Sequence, residues 1–494
     1  MTSNAIEHVD VLIMGAGISG IGAACYLRTL QPGKTFAILE GRGEIGGTWD
    51  LFRYPGIRSD SDLHTFSYEF KAWENEKAIA SADAIMAYLR ETVAEHGIRQ
   101  AIRLHHKVIS AAWSSRDGRW LVEIERVDSG DRIHMTCGWF FCAGGYYRYD
   151  EGFTPEFPGR ERFTGQIVHP QQWPEDLDYR GKRVLIIGSG ATAVTLVPAL
   201  AETAGHVTML QRSPTYIVPV PSEDRLANTL PKVIGRDRAY ALTRRKNIAR
   251  QRLIYRFCQQ HPGAARRLIR HLNARQLPKG YPVDEHFRPA YNPWDQRLCA
   301  VPDSDMFKAI RDGRASVVTD RIDTFTEKGV RLQSGRELEA DIVVTATGLN
   351  LLAFGGISLT VDGAPVDLSE KVAFKGFLLS DVPNFVYMFG YTNSSWTLRV
   401  GLVCEHFCRL LAHMDAHGHV VCYPRVPEGM PTMPLLDIGA NYVKRSIDQF
   451  PRQGAEYPWR TCMDYRADYH TLREGPVEDE NLCFQAVRQA ALTG

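Results

Sequence analysis

The chain lacks a C-x-x-C pair, any apolar run near the roughly 20 residues that a membrane helix needs, and any sizeable excess of charge. Its ten cysteines (Cys25, Cys137, Cys142, Cys258, Cys299, Cys404, Cys408, Cys422, Cys462 and Cys483) are scattered, which argues against a zinc ribbon or a dithiol redox motif. Cys404 and Cys408 fit a buried helix face better than a ligand pair, and no metal site is expected. A net charge of +1 gives no reason to expect nucleic acid. The start, MTSNAIEHVDVLIMGAG, has no charged region leading into a long apolar one, so no signal peptide is read and the cytoplasm is the expected compartment. What remains is a composition with 44% hydrophobic and 23% charged residues over 494 positions. That is a folded chain long enough for two or three domains.

Residues 9–40, VDVLIMGAGISGIGAACYLRTLQPGKTFAILE, place an apolar strand before Gly15, Gly17 and Gly20, then a helix, then a second strand ending at Glu40. The three glycines divide the labour: a tight turn, close backbone approach to a pyrophosphate, and close packing of helix on strand. The pyrophosphate then lies at a positive helix N-terminus. Glu40 stands twenty residues past Gly20, where a carboxylate accepts ribose hydroxyls. Strand, turn, helix, strand and acid agree. The loop that follows, GEIGGTWDLFRYPGIRSDSD, has Gly46 and Gly47 to lie flat against a ligand, with Trp49 and Tyr54 as aromatic walls. Acidic ribose binder and later G-G pair together resemble the FAD half of flavoproteins that bind two dinucleotides.

KRVLIIGSGATAVTLVPAL (182–200) repeats the device as Gly188, Ser189, Gly190, Ala191, Thr192, Ala193 and Val194. Its second strand ends in Gln211 and Arg212 where the first unit has Glu40. A carboxylate there repels a 2′-phosphate, whereas a guanidinium pairs with it. A charge-assisted bond of about 1.5–3 kcal/mol corresponds to roughly 10- to 150-fold preference for NADPH. FAD and NADPH in one chain make hydride transfer between them the natural first half-reaction. The expected fold is α/β, with two Rossmann-like dinucleotide-binding domains.

Between the two turns lies FTGQIVHPQQWP, with Phe163, Gly165, His169, Trp173 and Pro174 spaced as F-x-G-x-x-x-H-x-x-x-W-P. A second pattern, G-G-x-W-x4-[FY]-P-G-x3-D, matches at Gly46, Gly47, Trp49, Tyr54, Pro55, Gly56 and Asp60. With both motifs in this order, the sequence resembles the type I Baeyer–Villiger monooxygenases, and most of all their bacterial ethionamide-activating branch. The resemblance runs from Val9 past Trp396. It implies an NADPH- and O2-dependent flavoenzyme that turns ketones into esters or lactones through a flavin peroxide, with sulfides as further substrates. The alternative is a heteroatom oxygenase without ketone activity, since related N- and S-oxidising enzymes carry a similar motif without the closing Trp-Pro.

The resemblance also assigns residues. It implies a catalytic pair of Arg297, in NPWDQR, and Asp60, a permanent cation stabilising developing negative charge in a water-poor pocket while the acid holds it. Relatives often carry Lys before this Arg; here Gln296 stands there, which leaves the 2′-phosphate to Arg212. FAD contacts are implied from Ser19, from Thr48, Trp49, Asp50 and Leu51, and from Val108, while Arg58 and Ser59 face the nicotinamide end. His169 is a catalytic candidate that exchanges hydrogen-bond partners as domains shift; pinning the interdomain strand is an equally open reading.

The implied organisation is a split FAD domain (1–148 and 349–494), an NADPH domain (149–222 and 291–348) and a helical insertion (223–290). Between Arg238 and Asp284 the insertion has no acid but many basic residues, including Arg244, Arg245, Lys246, Arg266, Arg267 and Arg270, with Leu253, Ile254 and Phe257 among them. Such a stretch fits a solvated helical lid over the substrate pocket, or weak contact with an anionic membrane surface. GYTNSSWTLRVGLVCEHFCRLLAHM (390–414) reads as a loop entering an apolar helix, with Trp396 as a pocket wall.

Overall fold

The computed structural model describes residues 6–296, 298–436 and 441–486. Two sheets organise it. The larger has eleven strands, and its parallel centre runs Arg132–Cys142, Glu7–Met14, Phe36–Leu39, Ile102–Arg103. Val11, Leu12 and Ile13 are buried on both faces, the signature of a parallel strand covered on either side. Helices α1 (Ile18–Leu30) and, from far along the chain, Trp396–His417 cover one face together. On the other face the antiparallel strands His106–Ser114 and Arg119–Arg126 bring Trp113 and Trp120 against Phe140 and Phe385.

The smaller sheet has five strands, all parallel, in the order Ala315–Thr319, His206–Gln211, Arg183–Ile187, Ile342–Thr345, Gln166–Val168. Helix α2 (Ala191–Leu200) packs on it through Ala193, Val194, Leu196 and Val197. The chain passes between the sheets twice, at Tyr147–Gly152 and at Leu349–Leu351, and these two segments pair antiparallel as one ribbon.

Residues 223–290 are helical, the longest element being α3 (Arg236–Gln260). Not every basic residue of this insertion is solvated. Arg244 is buried, and its guanidinium donates to the carbonyls of His64, Thr65 and Ser67. A fork of five donors suits the orphan carbonyls at a short helix's C-terminus. Lys246 pairs with Asp224, and Arg270 grips Asp284 with two parallel bonds of 2.7 Å. Among the described residues no helix is long and apolar enough to cross a membrane. Here the long apolar helix of 390–414 is α4 (Trp396–His417), with Cys404 and Cys408 buried on it.

Candidate active site

A cavity of about 1500 Å3 lies between the sheets and is walled by the first glycine turn and by the start of the helix that follows the second, while Gly188, Ser189 and Gly190 do not line it. Gly15, Gly17, Ser19, Glu40, Gly47, Thr48, Trp49 and Val108 line it from the larger sheet's side, and Ala191 and Thr192 from the smaller's. Arg58, Ser59 and Asp60 stand between them.

The first turn is fully specified by its backbone. Gly15 has φ +98°, and a Cβ there would lie 2.7 Å from the Ala143 carbonyl. One on Gly20 would lie 1.9 Å from the Gly15 carbonyl oxygen, so the third glycine exists for helix–strand contact. Glu40 is buried and accepts from the N–H groups of Ala16, at 2.8 Å, and Arg42, at 3.0 Å. Burial raises its carboxyl pKa, and those two donors work against the shift. Asp50 is different: its carboxylate is spent on Arg42 and Arg53, which fixes the loop, and neither Asp50 nor Leu51 reaches the cavity wall.

The second turn is more open. Gly188 has φ +136° against the Ala346 carbonyl, but a Cβ on Gly190 would meet nothing within 4 Å. Ser189 bonds Thr215 at 2.8 Å, and Ala193 and Val194 face the core. The amide of Gln211 turns inward to the His286 carbonyl and Thr319 hydroxyl, so its side chain is structural. Arg212 is exposed, with no carboxylate paired to it among the described residues.

The two sequence signatures turn out to be joints. Phe52 and Tyr54 sit in the smaller sheet's core, and Gly56, at φ +78°, packs so tightly that a Cβ would lie 2.7 Å from Ala199 on α2. Tyr54 hydrogen-bonds Thr192, and burial pushes its phenol up to about 12, so it stays protonated. Arg58 crosses the same gap as an ion pair with Asp305. In the connector, Phe163 packs on Phe325 and Trp173 beside Tyr179. His169 is not on the cavity wall. Its Nε2–H donates to the Gly348 carbonyl at 3.2 Å and its Nδ1 accepts from the Gln171 N–H, while its ring lies flat over Gly152. It therefore clamps both crossings at once. Burial lowers its pKa, and both nitrogens are committed to backbone, the arrangement in which it pins the interdomain strand.

Asp60 is exposed to the cavity. Arg297 lies outside the described residues; Trp294 and Leu298 on either side of it line the cavity. Sequence reasoning missed a polar seam between α3 and the cavity floor. Asn247 and Gln251 donate to opposite oxygens of Asp62 at 2.9 and 2.6 Å, and Gln251 accepts from Ser394. Their i,i+4 spacing on a basic helix was the available signal. Trp396 does wall the pocket, stacked on Tyr146 at 5.5 Å, its indole N–H donating to Ser19.

These features fit two dinucleotides: Gly15, Gly17 and Gly47 bring bare backbone to the cavity wall beside the first turn, and the cavity reaches Ala191 and Thr192 at the start of the helix that follows the second. Fold and site define an oxidoreductase built from two dinucleotide-binding units around one cavity. The flavin-binding monooxygenase-like family model matches residues 9–355. The FAD-containing monooxygenase EthA of Mycobacterium tuberculosis is 52% identical over 97% of this chain and 98% of its own. The probable FAD-binding monooxygenase AlmA of Acinetobacter baylyi is 47% identical over 97% and 96%. Among solved structures, cyclohexanone monooxygenase in an open form superposes with a TM-score of 0.76 at 20% identity, covering 97% of this chain and 100% of that one. Steroid monooxygenase bound to NADP gives 0.75 at 22% identity, with the same coverage. The chain belongs to the flavin-binding monooxygenase-like family and is a flavin-dependent monooxygenase.

Proposed function

We propose that the chain binds FAD at the first turn and NADPH at the second, and inserts oxygen from O2 beside the carbonyl of a ketone. The observation that carries this reading is a cavity lined by the first glycine turn, by Ala191 and Thr192 just after the second, and by Asp60. The larger-sheet unit, with residues 1–148 and 349–494, is then the FAD domain; 149–222 and 291–348 form the NADPH domain, and 223–290 the insertion. Bound FAD, reduced by NADPH, supplies the activated oxygen. Glu40, held by two backbone donors, orients to the ribose hydroxyls. Arg212 pairs with the 2′-phosphate. Asp60 positions Arg297, whose fixed charge stabilises negative charge developing on the reacting oxygens in a site shielded from water. His169, Tyr54 and the Arg58–Asp305 pair hold the two units in register while this happens.

The reading is tested by products from a panel of linear ketones and sulfides under 18O2. One 18O atom in an ester supports ketone insertion; labelled sulfoxide with no ester transfers the assignment to heteroatom oxygenation. A finer element concerns α3, where Arg238, Leu242, Arg245, Leu253 and Arg256 share an exposed face. This supports weak contact with anionic lipid. Co-sedimentation with phosphatidylserine vesicles but not phosphatidylcholine vesicles is expected, weakening with salt; equal recovery in both supernatants removes the contact.

A further inference from the structure

At the end of α4 farthest from the cavity, three histidines meet an acid brought from a distant part of the chain. His413 and His417 are one turn apart on the helix, and His419 opens the strand His419–Pro424 just beyond the Gly418 cap. One nitrogen of His413, one of His417 and a carboxylate oxygen of Glu478 all lie within 4.8 Å of one another. The closest approach to the acid is His413 Nε2, 3.5 Å from Glu478 Oε1. The rings of His413 and His417 are 4.3 Å apart, and His419 stacks 5.8 Å beyond.

Two further features prepare this cluster for a cation. His417 Nδ1–H donates to the His413 carbonyl at 2.8 Å, which fixes the tautomer and leaves Nε2 with a free lone pair. This backbone-oriented imidazole is the usual arrangement of a metal ligand. His419 Nδ1 is buried with no hydrogen-bond partner among the described residues, a polar atom left unspent beside the pair. The last turn of a helix also favours positive charge.

We propose that His413, His417 and Glu478 bind a divalent transition-metal cation of the Zn2+ or Ni2+ type, with His419 beside them. Two imidazoles and a carboxylate match the borderline ligand preference of these ions, and water completes the shell. Bonds of about 2.0–2.1 Å require the ligand atoms to close to roughly 3.4 Å of each other, and the exposed His417 and Glu478 side chains are able to turn inward. The ion would clip α4, which carries Trp396 at its cavity end, to the segment around Glu478. Sequence reading expected no metal because the ligands come from the helix and a segment far along the chain, with no C-x-x-C pattern.

The test is calorimetric titration of tag-free, FAD-loaded full-length protein with ZnCl2 and with NiCl2 after chelator dialysis. One equivalent is expected to bind, and His417→Ala and His413→Ala each to weaken binding at least about tenfold. Zinc should raise the thermal midpoint of the wild type and not of H413A/H417A. Should His413→Ala fail to fold, His417→Gln at an exposed position carries the same comparison. Binding of equal affinity and stoichiometry in wild type and H413A/H417A overturns the site, as does absence of binding in the wild type.

Discussion

The two glycine turns share a sequence pattern and differ in nearly everything the structure adds. The first is closed: Gly46 donates its N–H to the Ala16 carbonyl, Gly47 faces Gly17, and Glu40 is buried with both oxygens held. The second is open at Gly190, its neighbouring Gln211 is turned into the core, and Arg212 stands in solvent. A preorganised, enclosed cradle binds tightly because little remains to be ordered; an open one releases more readily. That difference matches a reaction in which one dinucleotide stays while the other is consumed each turnover.

The comparison breaks most sharply at the third glycine. Gly20→Ala puts a methyl 1.9 Å from a backbone oxygen, so this variant should purify essentially without flavin, measured by the absorbance ratio at the flavin and protein bands. Flavin content near wild type would show that the first turn yields easily. A smaller effect, confined to the second turn, is expected for Arg212→Ala. NADPH KM should rise roughly 10- to 150-fold with NADH nearly unchanged. An equal rise for both cofactors would remove Arg212 as the phosphate reader, as its solvated position allows.

What the sequence could convey follows the same division. The strand Phe36–Leu39 ends where its pattern ended, because apolar runs, glycines and a terminal acid are local signals. The α/β class was legible for the same reason. What was not legible depended on which way a side chain turned after folding. Nothing local distinguishes Asp50, locked to two arginines, from Thr48 on the cavity wall. Arg244 reads like its basic neighbours until the carbonyls of 64–67 are brought beneath it. Asp305, the partner of Arg58 across the gap, lies in DSDMF, a stretch without any motif to mark it. His169 carries a conspicuous motif, yet its meaning emerged only when Gly152 and Gly348 converged on one ring.

The central claim is a guanidinium at position 297 that serves oxygen transfer and has no part in flavin reduction. Rapid mixing of Arg297→Ala with NADPH without oxygen, followed by aerobic product analysis, separates the two steps. Reduction of the bound flavin within a few-fold of the wild-type rate is predicted, with ester formation down by at least about 10²–10³-fold, as for loss of one preorganised charge-stabilising group. Ester produced at close to the wild-type rate would contradict it.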